Sequence, residues 1–322
     1  MSFTDAELEQ HCRYILGERR IKNKIVILCE GGRYDASERL SVQSYGRMEE
    51  LPDANFYSAC IPSYWRQGRP QFFNCGDRHD TLSTYFKLLE IHDREPELYY
   101  LSSDLLFALV DIDLHTAKIE DKEYGFADTE EIFHDLYLDL KIQIDKLPQH
   151  RIWVTGLMHK EAYFLNPALQ SIFDSYEIPI EYGENQIDLD SVYREISENL
   201  TQDQDLCQHF GKAIKRICHC KNLNLQNQQL LAESWQKSYD LPTEIKTELI
   251  FALLAIAKSK PYWRKIMANS PTRQKEALSL QIARRFYAEQ NGADCDRDHL
   301  PGFFTYLHSI YQDHYISRTS IN

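Results

Sequence analysis

The chain has 322 residues, of which 43% are hydrophobic and 26% charged, and this composition excludes a disordered or fibrous protein. The longest apolar run, LIFALLAIA at 249–257, is far shorter than the roughly 20 residues that cross a bilayer, and the acidic start of the chain does not resemble a secretory signal. Eight scattered cysteines favour reduced thiols over a disulfide framework. We therefore expect a cytoplasmic protein with no membrane partner.

The first half of the chain alternates between predicted helices and predicted strands. Thr4 and Glu7 form a capping-box pattern that predicts a helix over 4–17. Short apolar runs predict strands at 25–29, 56–61, 71–75, 105–110 and 151–155. The intervening segments predict helices at 36–50, 80–91 and 129–147. This alternation is typical of βαβ units, so we expect an α/β fold with a mainly parallel sheet flanked by helices.

From about residue 190 the pattern changes to helix after helix. We place the boundary between 182 and 201, which predicts an α/β domain with an N-terminal helix over 1–190 and an all-helical domain over 191–322. The net charge of −13 is divided unevenly, because residues 206–290 hold 14 Lys/Arg against 6 Asp/Glu whereas residues 1–205 hold 20 against 39. A basic segment in an acidic chain favours a polyanionic partner, although a merely solvated basic face fits the charge equally well.

Carboxylates follow two of the predicted strands. Glu30 ends the run KIVILCE, where Gly31 and Gly32 allow a sharp turn, and Asp111 and Asp113 follow the run FALV. Residues two apart on an extended chain face the same way, so Asp111 and Asp113 can point to one place. If the two strands are neighbours, Glu30 faces the same crevice. Repulsion among three carboxylates is relieved by Mg²⁺ or Mn²⁺, although turn formation or helix capping is the alternative role of such residues.

These motifs resemble a TOPRIM domain, the metal-binding module named for topoisomerases and primases. The resemblance rests on VILCEGGRYD and FALVDID. Two further segments, QFFNCGDRHDTLSTYFKLLE and RIWVTGLMHKEAYFLNP, are similar to the nuclease halves of OLD-type (overcoming lysogenization defect) proteins and their stand-alone relatives. The resemblance spans about residues 22–175.

The resemblance implies a divalent-metal-dependent nuclease that cleaves DNA or RNA. Asp111 and Asp113 would hold Mg²⁺ or Mn²⁺, with Glu30 as a further ligand or as the general acid or base. Glu161, together with Asp35 or Asp77, would hold a second ion. The segment 206–290 would grip the nucleic acid, and a protein partner and a role in defence against mobile elements are implied at the family level. A non-catalytic binding or regulatory module of the same fold is the alternative.

Three other patterns have less support. The segment CQHFGKAIKRICHC at 207–220 contains five Cys and His residues, but not at the spacing of common zinc sites, so we expect thiols in a helix. His159 and Lys160 lie beside Glu161 and could contact phosphate, but a solvated loop is favoured. A phosphoacceptor resembling a response receiver is disfavoured, because no lysine directly follows RIWVT.

Overall fold

The computed structural model describes residues 3–32, 52–119, 121, 124–241, 245–290, 297 and 299–319. The predicted helix at 36–50 and the candidate ligand Asp35 lie outside these residues. Within the described ranges, no helix has both the length and the apolar character needed to span a membrane.

The structure is α/β, and its strands and its helices are each numbered in chain order. The described strands are β1 (Val26–Cys29), β2 (Gln71–Asn74), β3 (Leu106–Val110), β4 (Tyr137–Leu138), β5 (Lys141–Ile142), β6 (Ile152–Val154), β7 (Glu181–Tyr182) and β8 (Asn185–Gln186). The described α-helices are α1 (Asp5–Gly17), α2 (Pro52–Ala59), α3 (Arg78–Arg94), α4 (Thr129–Leu136), α5 (Gln170–Asp174), α6 (Leu189–Asn199), α7 (Gln204–Gln208), α8 (Phe210–Arg216), α9 (Gln228–Tyr239), α10 (Lys246–Ile256), α11 (Lys260–Lys265), α12 (Thr272–Arg285) and α13 (His299–Thr319).

The central sheet has four parallel strands in the order β2-β1-β3-β6, which confirms the predicted parallel sheet. Every residue of β1 and β3 is buried, because helices such as α3 cover these strands. The capping box of Thr4 and Glu7 starts α1, also as predicted.

Two predicted elements are wrong. The segment 56–61 is not a strand, since α2 runs to Ala59 and its buried residues Ala54 and Tyr57 lie three apart, at helical spacing. The helix predicted over 129–147 ends at Leu136, where the β4–β5 hairpin begins. Its turn residues, Asp139 and Leu140, have φ angles of 53° and 60°, which a right-handed helix cannot contain.

The helical region packs directly on the sheet. Two rings of α13 reach the two edge strands: Phe303 lies 3.9 Å from Trp153 of β6 and Phe304 lies 6.1 Å from Phe72 of β2, measured between ring centroids. The buried apolar residues on both sides of residue 190 form one continuous core. The division into 1–190 and 191–322 stays a prediction.

Arg216 joins the helical region to the loop that follows β3. Its guanidinium is fully buried, and donates to both carboxylate oxygens of Glu130 at 2.9 and 2.6 Å and to the Asp113 carbonyl at 2.9 Å. It also reaches the carbonyls of Ile112 and Ala255. One buried cation thus fixes the loop that carries the candidate carboxylates against α4 and α10.

Candidate active site

The strand order places a crevice at the carboxyl ends of β1 and β3. From β1 the chain first adds β2 on one side and later adds β3 on the other, and open parallel sheets bind ligands where the strand order reverses in this way. Glu30 and Asp111 follow these neighbouring strands, as the sequence suggested. Both residues line an open cleft of about 530 Å³.

Gly31 shapes one wall of this cleft. Its N–H donates to the Gly76 carbonyl at 2.8 Å and its carbonyl accepts from the Gly76 N–H at 3.1 Å, which forms an antiparallel bridge just beyond the parallel strands β1 and β2. Gly31 has a φ of 154°, and a Cβ there would lie 2.7 Å from the Asn74 side chain and 2.9 Å from a carboxylate oxygen of Asp53. A side chain is therefore excluded at this point, and the wall consists of backbone.

A hydrogen bond links Glu30 to Asp111 across the crevice. A carboxylate oxygen of Glu30 accepts the backbone N–H of Asp111 at 2.7 Å, and the Asp111 carboxylate accepts the backbone N–H of Lys160. Burial, opposed in part by the nearby Arg78, raises the pKa of Glu30 to about 7. Burial and the charges of Glu30 and Glu161 raise the pKa of Asp111 well above its ordinary value. These two carboxyl groups are costly to ionise without a cation.

The remaining predicted ligands are distributed around this pair. Glu161 and Asp77 line the cleft, and Asp77 also caps α3 by accepting the N–H of Asp80 at 3.0 Å. Asp113 does not line the cleft; its carboxylate accepts the N–H of Leu114 at 2.6 Å, although its charge is close enough to raise the pKa of Glu30. The structure therefore brings Glu30, Asp111 and Glu161 to one cleft and leaves Asp113 at its edge.

The cleft carboxylates do not converge on one point in this state. Within the part of the chain that is described, the one group of three Asp, Glu, His or Cys residues with ligand atoms all within 4.8 Å of one another lies elsewhere, at His219, Cys220 and Glu248. The cleft thus offers oxygen ligands from separate walls and not a closed ligand set.

Cations enter the cleft at positions that sequence analysis missed or undervalued. Lys160 forms an ion pair with Asp53 and its side chain is only 15% exposed, so the expected solvated loop is wrong for this residue. Lys260, at the start of α11, lines the cleft from the helical region. Asp53 and Lys260 carry no local motif, and only the packing of α2 and α11 against the sheet end identifies them. The cleft is therefore mainly acidic, with five carboxyl groups and two lysines in its lining.

His159 precedes these residues and has a partly buried ring. Burial lowers its pKa despite the neighbouring charges of Asp113 and Glu161. Its Nδ1 is buried, and among the described residues it has no hydrogen-bond partner. An uncharged imidazole with an unused nitrogen beside the cleft can accept or donate a proton.

A second cavity adjoins the cleft and shares Lys160 and Glu161 with it. This cavity of about 250 Å³ is lined by Phe164, Trp263 and Lys275, and the Phe164 and Trp263 rings lie 4.4 Å apart. Trp263 belongs to the aromatic and basic segment PYWRK of α11. Phe164 is buried, so the partly exposed Trp263 ring beside the Lys275 ammonium group is the face suited to stack on a nucleotide.

The basic segment 206–290 is partly neutralised within the chain. Lys246 pairs with Asp190 at 2.6 Å, Lys258 with Asp205 and Lys265 with Glu195. These acidic residues come from α6 and α7 or the residues near them, so several cations counted in the sequence are not directed to a partner.

Comparison of the chain with protein-family models, with curated proteins and with solved structures found no match in any of the three. The carboxylates and lysines of the cleft are therefore the features that bear on function.

Proposed function

We propose that the chain is a divalent-metal-dependent nuclease with a TOPRIM-like fold that hydrolyses phosphodiester bonds of DNA or RNA. The observation that carries the proposal is the pair of adjacent carboxyls, Glu30 and Asp111, at the switch point of a parallel sheet, with Lys160 and Lys260 on the walls of the same cleft. A role in defence belongs to the same proposal and rests on the resemblance, and a cytoplasmic location belongs to it on the ground of the scattered cysteines.

The residues present fit Mg²⁺ or Mn²⁺. Asp111 and Glu161 offer carboxylate oxygens inside the cleft and Asp113 offers another at its edge, and such hard donors suit these ions better than Zn²⁺. A cation would also stabilise the ionised forms of Glu30 and Asp111, whose pKa values are raised by burial. When bound, the ion supplies Lewis-acid polarisation of a phosphate oxygen and a more acidic water.

The side chains of the cleft can perform the remaining tasks. The Lys260 ammonium group attracts the phosphodiester despite the negative charge of the whole chain, while Lys160 is paired with Asp53. The Glu30 carboxyl can accept a proton from the attacking water and return it to the leaving oxygen. The Trp263 cavity lies where an unpaired base next to the scissile phosphate could stack, which favours a single-stranded substrate or end.

The decisive experiment compares Asp111→Asn with Asp104→Asn. Asp104 is an exposed residue at the amino end of β3, so the two changes remove the same charge from opposite ends of one strand. We expect Asp111→Asn to lower metal-dependent cleavage of labelled single-stranded DNA or RNA by about 100-fold or more, and Asp104→Asn to leave it unchanged. Equal activity of the two variants would contradict the proposal.

A non-catalytic binding module is the second candidate. The observation that favours it is the Lys160–Asp53 ion pair, which already neutralises charge inside the cleft, together with carboxylates that do not converge in the described residues. This candidate predicts no cleavage by the pure wild-type protein with either Mg²⁺ or Mn²⁺, but retained binding of nucleic acid. Turnover that is lost in Asp111→Asn would exclude it.

A further inference from the structure

A turn in the helical region brings three different metal-binding side chains together. Helix α8 ends at Arg216, and the Cys220 N–H closes the following turn by donating to the Ile217 carbonyl at 3.0 Å. His219 and Cys220 therefore do not lie on a helix, in contrast to the expectation from the sequence. They meet Glu248 in the first turn of α10, with ligand atoms of all three residues within 4.8 Å of one another.

Burial and orientation set this cluster apart from a chance surface group. Cys220 is 3% exposed, and the side chain of His219 is 11% exposed. The His219 Nδ1 lies 3.8 Å from a carboxylate oxygen of Asp139, in the β4–β5 turn. The buried Nε2 has no hydrogen-bond partner in the described part of the chain. At 3.8 Å the Asp139 carboxylate is an electrostatic neighbour of the ring and not a hydrogen-bond acceptor, and the vacant Nε2 leaves the imidazole able to bind a metal.

The surrounding charges are compatible with a bound cation. Glu248 and Asp139 are acidic, and Arg297 lies 3.6 Å from Glu248 as the opposing positive group. Burial and the neighbouring Glu248 raise the pKa of the Cys220 thiol to about 12, so the thiol stays protonated without a metal. Residues of this cluster are absent from the lining of the Glu30 cleft, so the two groups of residues are separate.

We propose that Cys220, His219 and Glu248 bind one Zn²⁺ ion, with the Asp139 carboxylate 3.8 Å from the His219 imidazole. Sulfur, nitrogen and oxygen donors in this combination suit Zn²⁺ and not Mg²⁺. Binding forms the sulfur–zinc bond while the thiol proton leaves to solvent, with no change of oxidation state. Three protein ligands leave one position of a tetrahedral ion for water. The ion would tie the turn after α8 to α10 and, through Asp139, to the β4–β5 hairpin.

The test is a Zn²⁺ titration of the full chain after removal of metal with a chelator, repeated with Co²⁺ as a spectroscopic probe. We expect one Zn²⁺ per chain, and a thiolate-to-cobalt charge-transfer band in the near ultraviolet. Cys220→Ser and Glu248→Gln should lose affinity by about 100-fold or more, and Asp139→Asn by roughly 10-fold to 100-fold. Circular dichroism of each variant establishes that it is folded.

Cys218→Ser is the matched control, because Cys218 is exposed and only two residues from Cys220. It should bind Zn²⁺ and show the cobalt band like the wild type. Asp111→Asn should also bind normally, and excess Mg²⁺ should not displace the ion. Absence of binding by the folded wild type, or equal losses in Cys218→Ser and Cys220→Ser, would overturn the proposal whatever the outcome of the nuclease assay.

Discussion

The acidic cleft and the turn at 217–220 both gather possible metal ligands, but they do so in different ways. The cleft collects carboxylates because parallel strands end at one edge, and it remains open, with Lys160 and Lys260 among the acids. The turn collects a thiol, an imidazole and a carboxylate in a mostly buried place, with Asp139 behind the imidazole. The cleft suits an exchangeable ion shared with an anionic substrate, whereas the turn suits a retained ion of softer type.

The number of acidic groups alone does not identify a metal site. Burial raises the pKa of Glu30 to about 7 in the cleft and the pKa of Cys220 to about 12 in the turn, so both groups are disfavoured as anions until a cation arrives. The two places differ in the chemistry of their donor atoms and in whether the ligand atoms lie close together. Variants of Arg216, Glu30 and Lys260 test whether the two places are distinct.

The largest effect is expected at Arg216, which lies between the two places. Arg216→Leu leaves the Glu130 carboxylate and the Asp113 carbonyl without their buried donor and should lower the free energy of unfolding by about 3–5 kcal/mol. Lys246→Gln is the control, since its pair with Asp190 is about half exposed and is worth about 0–1 kcal/mol. Urea denaturation of both variants measures the difference. Similar losses of unfolding free energy would show that Arg216 does not fix the loop after β3 against α4 and α10.

A smaller effect, on the order of 2 kcal/mol, is expected for Glu30→Gln in the metal-free protein. Because the folded-state pKa is raised from the ordinary 4.5 to about 7, protonated Glu30 contributes stability below about pH 4.5 that is lost as the pH rises through 7. The glutamine keeps an acceptor for the Asp111 N–H but cannot ionise. Its free energy of unfolding should therefore exceed that of the wild type at about pH 8, and the two should agree at about pH 4.

Urea unfolding in the presence of a chelator measures this pH dependence. Glu177→Gln, a change at an exposed glutamate, should follow the wild-type curve. If Glu30→Gln is no more stable than the wild type at about pH 8, the carboxyl is better solvated than its position in the crevice indicates. Saturating Mg²⁺ should reduce the difference, since the ion stabilises ionised Glu30.

The smallest effect concerns Lys260 and the salt dependence of nucleic-acid binding. Lys260→Gln should lower the slope of log affinity against log salt by about 1 for labelled single-stranded nucleic acid, because one phosphate contact is lost. Lys237→Gln removes the same charge from the exposed face of α9 and should leave the slope unchanged. Fluorescence anisotropy at several salt concentrations measures both. Equal slopes in the two variants would remove Lys260 from the proposed substrate path.

The amino-acid sequence alone predicted the four strands of the central sheet, and it predicted that Glu30 and Asp111 would share a crevice if their two strands were neighbours. Apolar runs that are buried on both faces are a strong local signal, and parallel pairing then brings their carboxyl ends together. Asp113 shows the limit of this reasoning, because the chain leaves the extended form after Val110 and its carboxylate instead binds the N–H of Leu114.

Only the tertiary structure decided which residues from different parts of the chain come into contact. The turn at Asp139 and Leu140 interrupts a segment with helical periodicity, and the Leu140 carbonyl there meets His299 of α13 at 2.8 Å. Lys260 enters the cleft, and Glu248 of α10 meets Cys220 in the turn after α8, through contacts between segments that are not adjacent in sequence. Such contacts depend on long-range burial and not on local pattern, so periodicity and motif spacing carry no signal for them.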